Sequence, residues 1–246
     1  MKRYTESTKK FFTGDPIDVT TGSLFEQRTD IELGQTVPLQ FTRSWSPGYR
    51  GLLGENWLDN FSECALVTGD RVEILTTEGA SLHFALPDSY NHSVNPEHPN
   101  FKLSRYKQGI ILSDRHSSIR KYFTLPTATE KDGTLCWRLT EHRDCNDNTI
   151  RFHYSEQHQL IKVSHSDGPE LILLYRENGL LEEIRRTDNG LNEVMARYRY
   201  HDNGWPMQTV HKHITCFMNT TNRGLPASGW MTRVGWSILG TGIIRR

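Results

Sequence analysis

Apolar residues recur at every second position through much of the C-terminal half of the chain. Ile150, Phe152 and Tyr154 alternate with Arg151 and His153, while Ala196, Tyr198 and Tyr200 alternate with Arg197 and Arg199. A period of two puts one set on one face of a strand. A helix needs apolar residues three and four apart over about ten positions. Only Leu180 to Met195 approaches that pattern, and Asn189-Gly190 interrupts it. Between the alternating segments lie Thr21-Gly22, Thr68-Gly69, Glu78-Gly79, Asp132-Gly133, Asp167-Gly168, Asn178-Gly179, Asn189-Gly190 and Asn203-Gly204. Asn and Gly tolerate positive φ, so such pairs close tight hairpins. The pattern predicts an all-β protein: antiparallel hairpins forming a curved, open sheet, with little helix.

Within that pattern a loose repeat is visible. Its first copy runs from Ile150 to Tyr154, then Leu160 to Val163, closing at Asp167-Gly168. The second runs from Leu171 to Tyr175, through Asn178-Gly179 to Leu181–Ile184, closing at Asn189-Gly190. The third runs from Ala196 to Tyr200, through Asn203-Gly204, and on from Met207 to Val210. In the first two copies the Tyr lies six residues before a Leu, which lies three before a β-branched residue. In the third, Pro206 holds the Leu slot unless a one-residue bulge brings Met207 into place. Proline removes a ladder donor, so an edge or a bulge is expected there.

Composition narrows the function classes. The chain has 246 residues with 29 basic and 29 acidic side chains and a formal net charge of +0. Neutrality removes the counterion-release drive for non-specific nucleic-acid binding, so nucleic acid is not an expected partner. No apolar stretch approaches the roughly 20 residues of a membrane-spanning helix, and Met1 to Lys10 lacks the apolar run of a signal peptide. Cys64, Cys136, Cys145 and Cys216 are too sparse for a disulfide framework and are expected as free thiols. After Asp202 no acidic residue remains, while Lys212, Arg223, Arg233, Arg245 and Arg246 are basic. That basic, glycine-rich tail reads as an interruption of the frame near residue 215.

No catalytic, cofactor-binding or metal-ligating residue is assigned. Asp144, Asn146 and Asn148 hold positions one, three and five of a calcium loop, but Thr149 and Ser155 stand where Gly and Glu are needed. A turn that caps a strand is expected instead. His211, His213 and Cys216 lack a fourth zinc ligand. Adjacent Glu182 and Glu183 point to opposite faces of a strand, and Asp15 and Asp18 differ in parity around Pro16, so neither is an acid/base couple. No cofactor is implied.

The repeat resembles the tyrosine-aspartate repeats of the Rhs (rearrangement hotspot) family, with Ser155, Arg176 and His201 replacing the Asp that follows the Tyr. A second resemblance is to the domain at the N-terminal edge of Rhs cores. Gly14-Asp15-Pro16-Ile17-Asp18-Val19-Thr20-Thr21-Gly22 looks like its opening signature. Asp30, Pro38 to Trp45, Gly51 to Trp57, then Glu78-Gly79 and Phe84 follow in order, with Asn56 where the family usually has Gly. Trp137-Arg138-Leu139 and Asp144 to Ile150 resemble the bridge into the repeats. The resemblance implies a lead (1–13), an Rhs-core N-terminal domain (14–88), a β-rich bridge (89–149), about three degenerate repeats (150–210) and the tail (211–246). It further implies the start of a β-cocoon: a non-enzymatic shell fragment of a secretion-delivered polymorphic toxin, without its toxin domain. Implied partners are the remainder of such a shell, or another copy, through exposed strand edges after about Val210, and a secretion spike protein in intact relatives. The implied location is the bacterial cytoplasm before delivery. Two competing readings are a freestanding carbohydrate-binding module using exposed Tyr and Trp, and a hydrolase whose dispersed residues converge in a pocket.

Overall fold

The computed structural model describes residues 27–77, 81–128, 133–188, 190–204, 206–211 and 214–217, and every regular element among them is a strand. The opening signature at 14–22, the Glu78-Gly79 pair, His213 and the tail beyond 217 lie outside the described residues. The segment from Leu180 to Met195, the best helical candidate, supplies two strands instead.

Strands β1 (Gln27–Leu33), β2 (Leu39–Gly51) and β3 (Gly54–Asp59) form a small antiparallel sheet. The rest belong to a 15-stranded antiparallel sheet. Strands β4 (Cys64–Thr68), β5 (Arg71–Leu75) and β6 (Ser81–Ala85) form a wing of it. A continuous meander follows: β7 (His92–Val94), β8 (Phe101–Tyr106), β9 (Gly109–Asp114), β10 (Arg120–Ala128), β11 (Leu135–Arg143), β12 (Thr149–Tyr154), β13 (Leu160–His165), β14 (Glu170–Tyr175), β15 (Leu181–Asp188), β16 (Leu191–Tyr200), β17 (Pro206–His211) and β18 (Ile214–Phe217). Strand β11 is the branch point: Leu135 to Arg138 pair with β4, and Glu141 to Arg143 pair with β12. The sheet is not closed, since among the described residues β6, β7 and β18 each pair on one side only. The ladder continues one strand past Val210, because β17 pairs with β18 instead of ending there.

Each repeat carries the same irregularity. Tyr154 pairs with Leu160, Tyr175 with Leu181 and Tyr200 with Pro206, and in every case the register slips by one residue beside the Tyr. The bulged residues are Ile161, Glu182 and Met207. A bulge changes strand parity, so residues three apart come to share a face. Leu160 and Val163 are both buried, as are Leu181 and Ile184. Pro206 therefore does not yield its slot to Met207, and the bulge there belongs to the repeat as a whole. Strand β17 is internal, and Thr209, fully buried, takes the β-branched place.

The repeated tyrosines do a specific job. The hydroxyl of Tyr154 donates to the Leu139 carbonyl at 2.7 Å, that of Tyr175 to Leu160 at 2.6 Å, and that of Tyr200 to Leu181 at 2.5 Å. Each unit is thus tied to the Leu of the unit before it. A further unit precedes the three: Phe123 pairs with Leu139 and Thr140 is bulged out. The sequence hides it because Phe replaces Tyr and its connection is longer.

The turns match too. His158, Gly179 and Gly204 each lie four residues after the Tyr, with φ of 60°, 80° and 82°, and each N–H donates to the carbonyl three residues back. Ser155, in the Asp position, accepts from the N–H groups of Gln157 and Gln159 through its hydroxyl. A left-handed conformation costs an L-residue about 1–2 kcal/mol. His158→Gly is therefore expected to gain up to about 1 kcal/mol, and Gly179→Ala to lose about 1–2 kcal/mol. Tyr175→Phe strips a donor from a shielded carbonyl and is expected to cost about 1–3 kcal/mol. Urea unfolding midpoints check all three.

Candidate functional site

Two places gather polar side chains under cover: the clasp between the sheets, and a cavity at their seam. The clasp is built from the landmark residues of the N-terminal segment. Asp30 on β1 accepts from Arg43 Nε on β2 at 2.7 Å, with both side chains buried, and from the Tyr198 hydroxyl on β16 at 2.9 Å. The Arg43 guanidinium lies 4.7 Å from the centre of the Trp57 ring, which meets Trp45 edge-on at 5.5 Å. Phe41 and Phe61 carry the apolar contact onward to Phe152 and Tyr198 of the large sheet. Gly51 leaves room for Asp59, since a Cβ there would sit 2.4 Å from its Oδ2. Asn56 has φ of 64°, a left-handed backbone that glycine adopts more readily than other residues.

Further ties run between the sheets. The N–H of Leu181 donates to the Leu52 carbonyl at 3.0 Å, and Asp167 accepts from both the N–H and the hydroxyl of Thr36. His165, fully enclosed, donates from Nε2 to the Val37 carbonyl and accepts at Nδ1 from the N–H of Asp167. These bonds fix the orientation of the ring. Sequence reasoning missed them because partners 128 and 131 residues apart leave no local pattern.

The seam cavity, about 430 Å³, lies where the small sheet meets β5 and β8 to β12. Glu63, Lys121, His142, Asp114 and Thr76 line it beside apolar residues such as Phe152. Glu63 is committed: one oxygen accepts from Thr77 Oγ1 at 3.1 Å and the other from Lys121 Nζ at 2.5 Å. Asp114 accepts from Asn100, His116 and Ser117. His142 packs edge-on against Phe152, and its Nε2 is shielded without a hydrogen-bond partner. Burial, reinforced by the Lys121 charge, holds its pKa well below the ordinary imidazole value. The imidazole is neutral at pH 7 and able to accept one hydrogen bond. The arrangement brings carboxylates, an imidazole and a cation together, yet both carboxylates are already hydrogen-bonded to neighbours.

The residues weighed from sequence are scattered. Asp144 accepts from the N–H groups of Asn146 and Asn148 and from the Asn148 side chain, which hold its carboxyl below the usual range. It caps its own turn just before β12. Glu182 faces Arg176, whereas Glu183 lies between Arg197 and Arg185. His211 and Cys216 lie in β17 and β18. Among the described residues no three His, Cys, Asp or Glu side chains cluster as metal ligands, and no helix is long and apolar enough to cross a membrane.

Asp30→Ala takes one carboxylate from the buried Arg43 charge and is expected to cost about 3–5 kcal/mol. Tyr198→Phe, which removes one donor from that carboxylate, is expected to cost about 1–3 kcal/mol. For His142 the sign follows from its depressed pKa: the unfolded chain takes up a proton more readily, so stability is lost as pH falls below about 6.5. Asp59, pushed up to about 6 by burial against the opposing N–H groups of Leu52, Ser62 and Phe61, acts oppositely, losing stability as pH rises from 3.8 to about 6. Urea titrations at pH 7 and 5 are expected to show the stability difference moving in favour of His142→Phe at the lower pH.

Residues 14–84 match a family described as a domain of unknown function, DUF6531. The chain is 32% identical over 232 residues to the probable deoxyribonuclease RhsB of Dickeya dadantii (strain 3937), covering 91% of this chain and 16% of that protein. It is 33% identical over 201 residues to the probable deoxyribonuclease RhsA of the same organism, covering 79% of this chain and 14% of that protein. The chain thus spans about a sixth of the length of the curated relatives it matches. With landmark residues meeting in one clasp and repeats stacked by their tyrosines, this chain belongs to the Rhs family over most of its length.

Proposed function

We propose that this chain is a non-enzymatic wall segment of an Rhs-type polymorphic toxin, made in the bacterial cytoplasm and delivered by secretion in competition between bacteria. The observation that carries the reading is the tyrosine tie: each hairpin donates a hydroxyl to the carbonyl of the hairpin before it. Such a unit is completed by its neighbours, as stacked repeat architectures require. Partners on this reading are the remainder of the shell, or a second copy, paired through the open strand edges, and a secretion spike protein for the assembled toxin. The nuclease activity in the relatives' names would then reside in parts that this chain does not match.

The carbohydrate-binding alternative needs a platform of exposed rings. The repeat tyrosines instead direct their hydroxyls to backbone carbonyls, and among the described residues the exposed tyrosines are Tyr49 and Tyr90, one at the end of β2 and one before β7. The hydrolase alternative draws on the seam cavity, where Glu63 and Asp114 are already bonded to neighbours.

Two measurements on the full chain test the proposal. Incubated with supercoiled plasmid and magnesium, the protein is expected to leave the DNA intact. Mixed with a separately expressed continuation of an Rhs repeat array, it is expected to form a stoichiometric complex by light scattering. Proline placed in turn at Thr215 and Cys216 of β18 should abolish that complex at one of the two positions, because alternate N–H groups face outward. Plasmid cleavage lost on Glu63→Gln would replace the shell reading with an enzymatic one. Failure to pair under any condition would remove the wall segment.

A further inference from the structure

At the branch of the large sheet, two cysteines 72 residues apart in sequence are brought side by side. Strand β4 pairs with the first half of β11 so that Cys64 stands opposite Arg138 and Leu66 opposite Cys136. Cys64 and Leu66 share a face, as do Cys136 and Arg138. The cysteines are therefore diagonal cross-strand neighbours, within side-chain reach of each other. Each thiol shifts the other's titration, as two sulfurs at that spacing do. Both carry free sulfur; Cys136 is buried and Cys64 partly open to solvent.

We propose that Cys64 and Cys136 are a redox-active pair that closes a disulfide between β4 and β11 when the protein meets a disulfide oxidant. The surroundings suit that chemistry. Arg138 flanks both sulfurs with positive charge, and the Thr127 hydroxyl lies beside Cys136. The neighbouring Cys64 thiol draws Cys136 down, outweighing its burial, whereas the same neighbour pushes Cys64 up. The lowered thiol of the pair is the one that more readily supplies a thiolate, and the thiolate is the nucleophile in exchange.

The reaction balances as thiol–disulfide exchange. A protein thiolate attacks one sulfur of a small-molecule disulfide, whose other half leaves as a thiolate. The second cysteine loses its proton to solvent, attacks the mixed disulfide and expels the remaining half. Two protein thiols become one disulfide, and the oxidant becomes two thiols. The new bond requires Cβ atoms about 3.8 Å apart, closer than a diagonal cross-strand pair stands, so closure shifts β4 along the four-residue ladder that holds it to β11. Closure would staple the β4–β6 wing, joined to the meander through β4 and β11, to the rest of the sheet.

The test uses the full chain carrying Cys145→Ser and Cys216→Ser, reduced and then exposed to glutathione disulfide. Thiol counting under denaturing conditions is expected to fall from two to zero. Peptide mapping is expected to find Cys64 joined to Cys136, and the melting temperature to rise by about 5–10 °C, reversibly with reductant. Thiols that stay free, glutathione adducts that persist on either cysteine, or cross-links between chains would each overturn the proposal. Since it compares two redox states of one protein, no cysteine variant at the pair itself has to fold.

Discussion

An antiparallel sheet whose strands alternate apolar and polar residues has one face that must be covered, and the structure is organised around that cover. The large sheet buries Phe152, Val163, Leu173, Ile184 and Tyr198 on one side. Strands β1 to β3 and the turn after them lie against that side through Phe41 and Phe61. The cover is oriented by a buried ion pair. Charges removed from water are costly unless geometry and extra hydrogen bonds compensate them, so Asp30 between Arg43 and Tyr198 works as a positional lock more than as a source of stability. A lid shifted by one residue would bury the same rings but leave that carboxylate facing the wrong partners.

The opposite face is held differently. Glu141 pairs with Arg143 and Arg151, Lys162 with Glu170, and Glu183 with Arg185 and Arg197. The half-exposed Lys162–Glu170 pair contributes little by itself, whereas Glu183 is shielded beneath the two arginines that hold it. The use of these pairs is to keep that face wet while backbone ladders and the buried side carry the energy. The tyrosine ties then make successive hairpins interdependent, since each hydroxyl crosses from one unit to the carbonyl of the one before it.

Much of this architecture was legible along the chain. Alternation identified strands, and the turn dipeptides located hairpins, because both signals arise from the local geometry of two to six residues. The three-residue step from Leu160 to Val163 was visible as a regularity but not as a bulge, since parity only becomes meaningful once the partner strand is known. The unit at Phe123 and Leu139 was hidden because its signature residue is a Phe without a hydroxyl. His158 was hidden because a left-handed turn usually announces itself with Gly.

What the amino-acid order determined alone is therefore the class of structure, the beats of its repeat and the landmarks of its first segment. Only the tertiary fold decided that Asp30 meets Tyr198, that His165 reaches Val37, that Glu63, Lys121 and His142 line one cavity, and that Cys64 touches Cys136. Strand and turn preferences are set by neighbours in the chain, whereas these meetings depend on which face of one sheet lands on another. That choice is made by the summed burial of many side chains, and no single stretch of sequence records it.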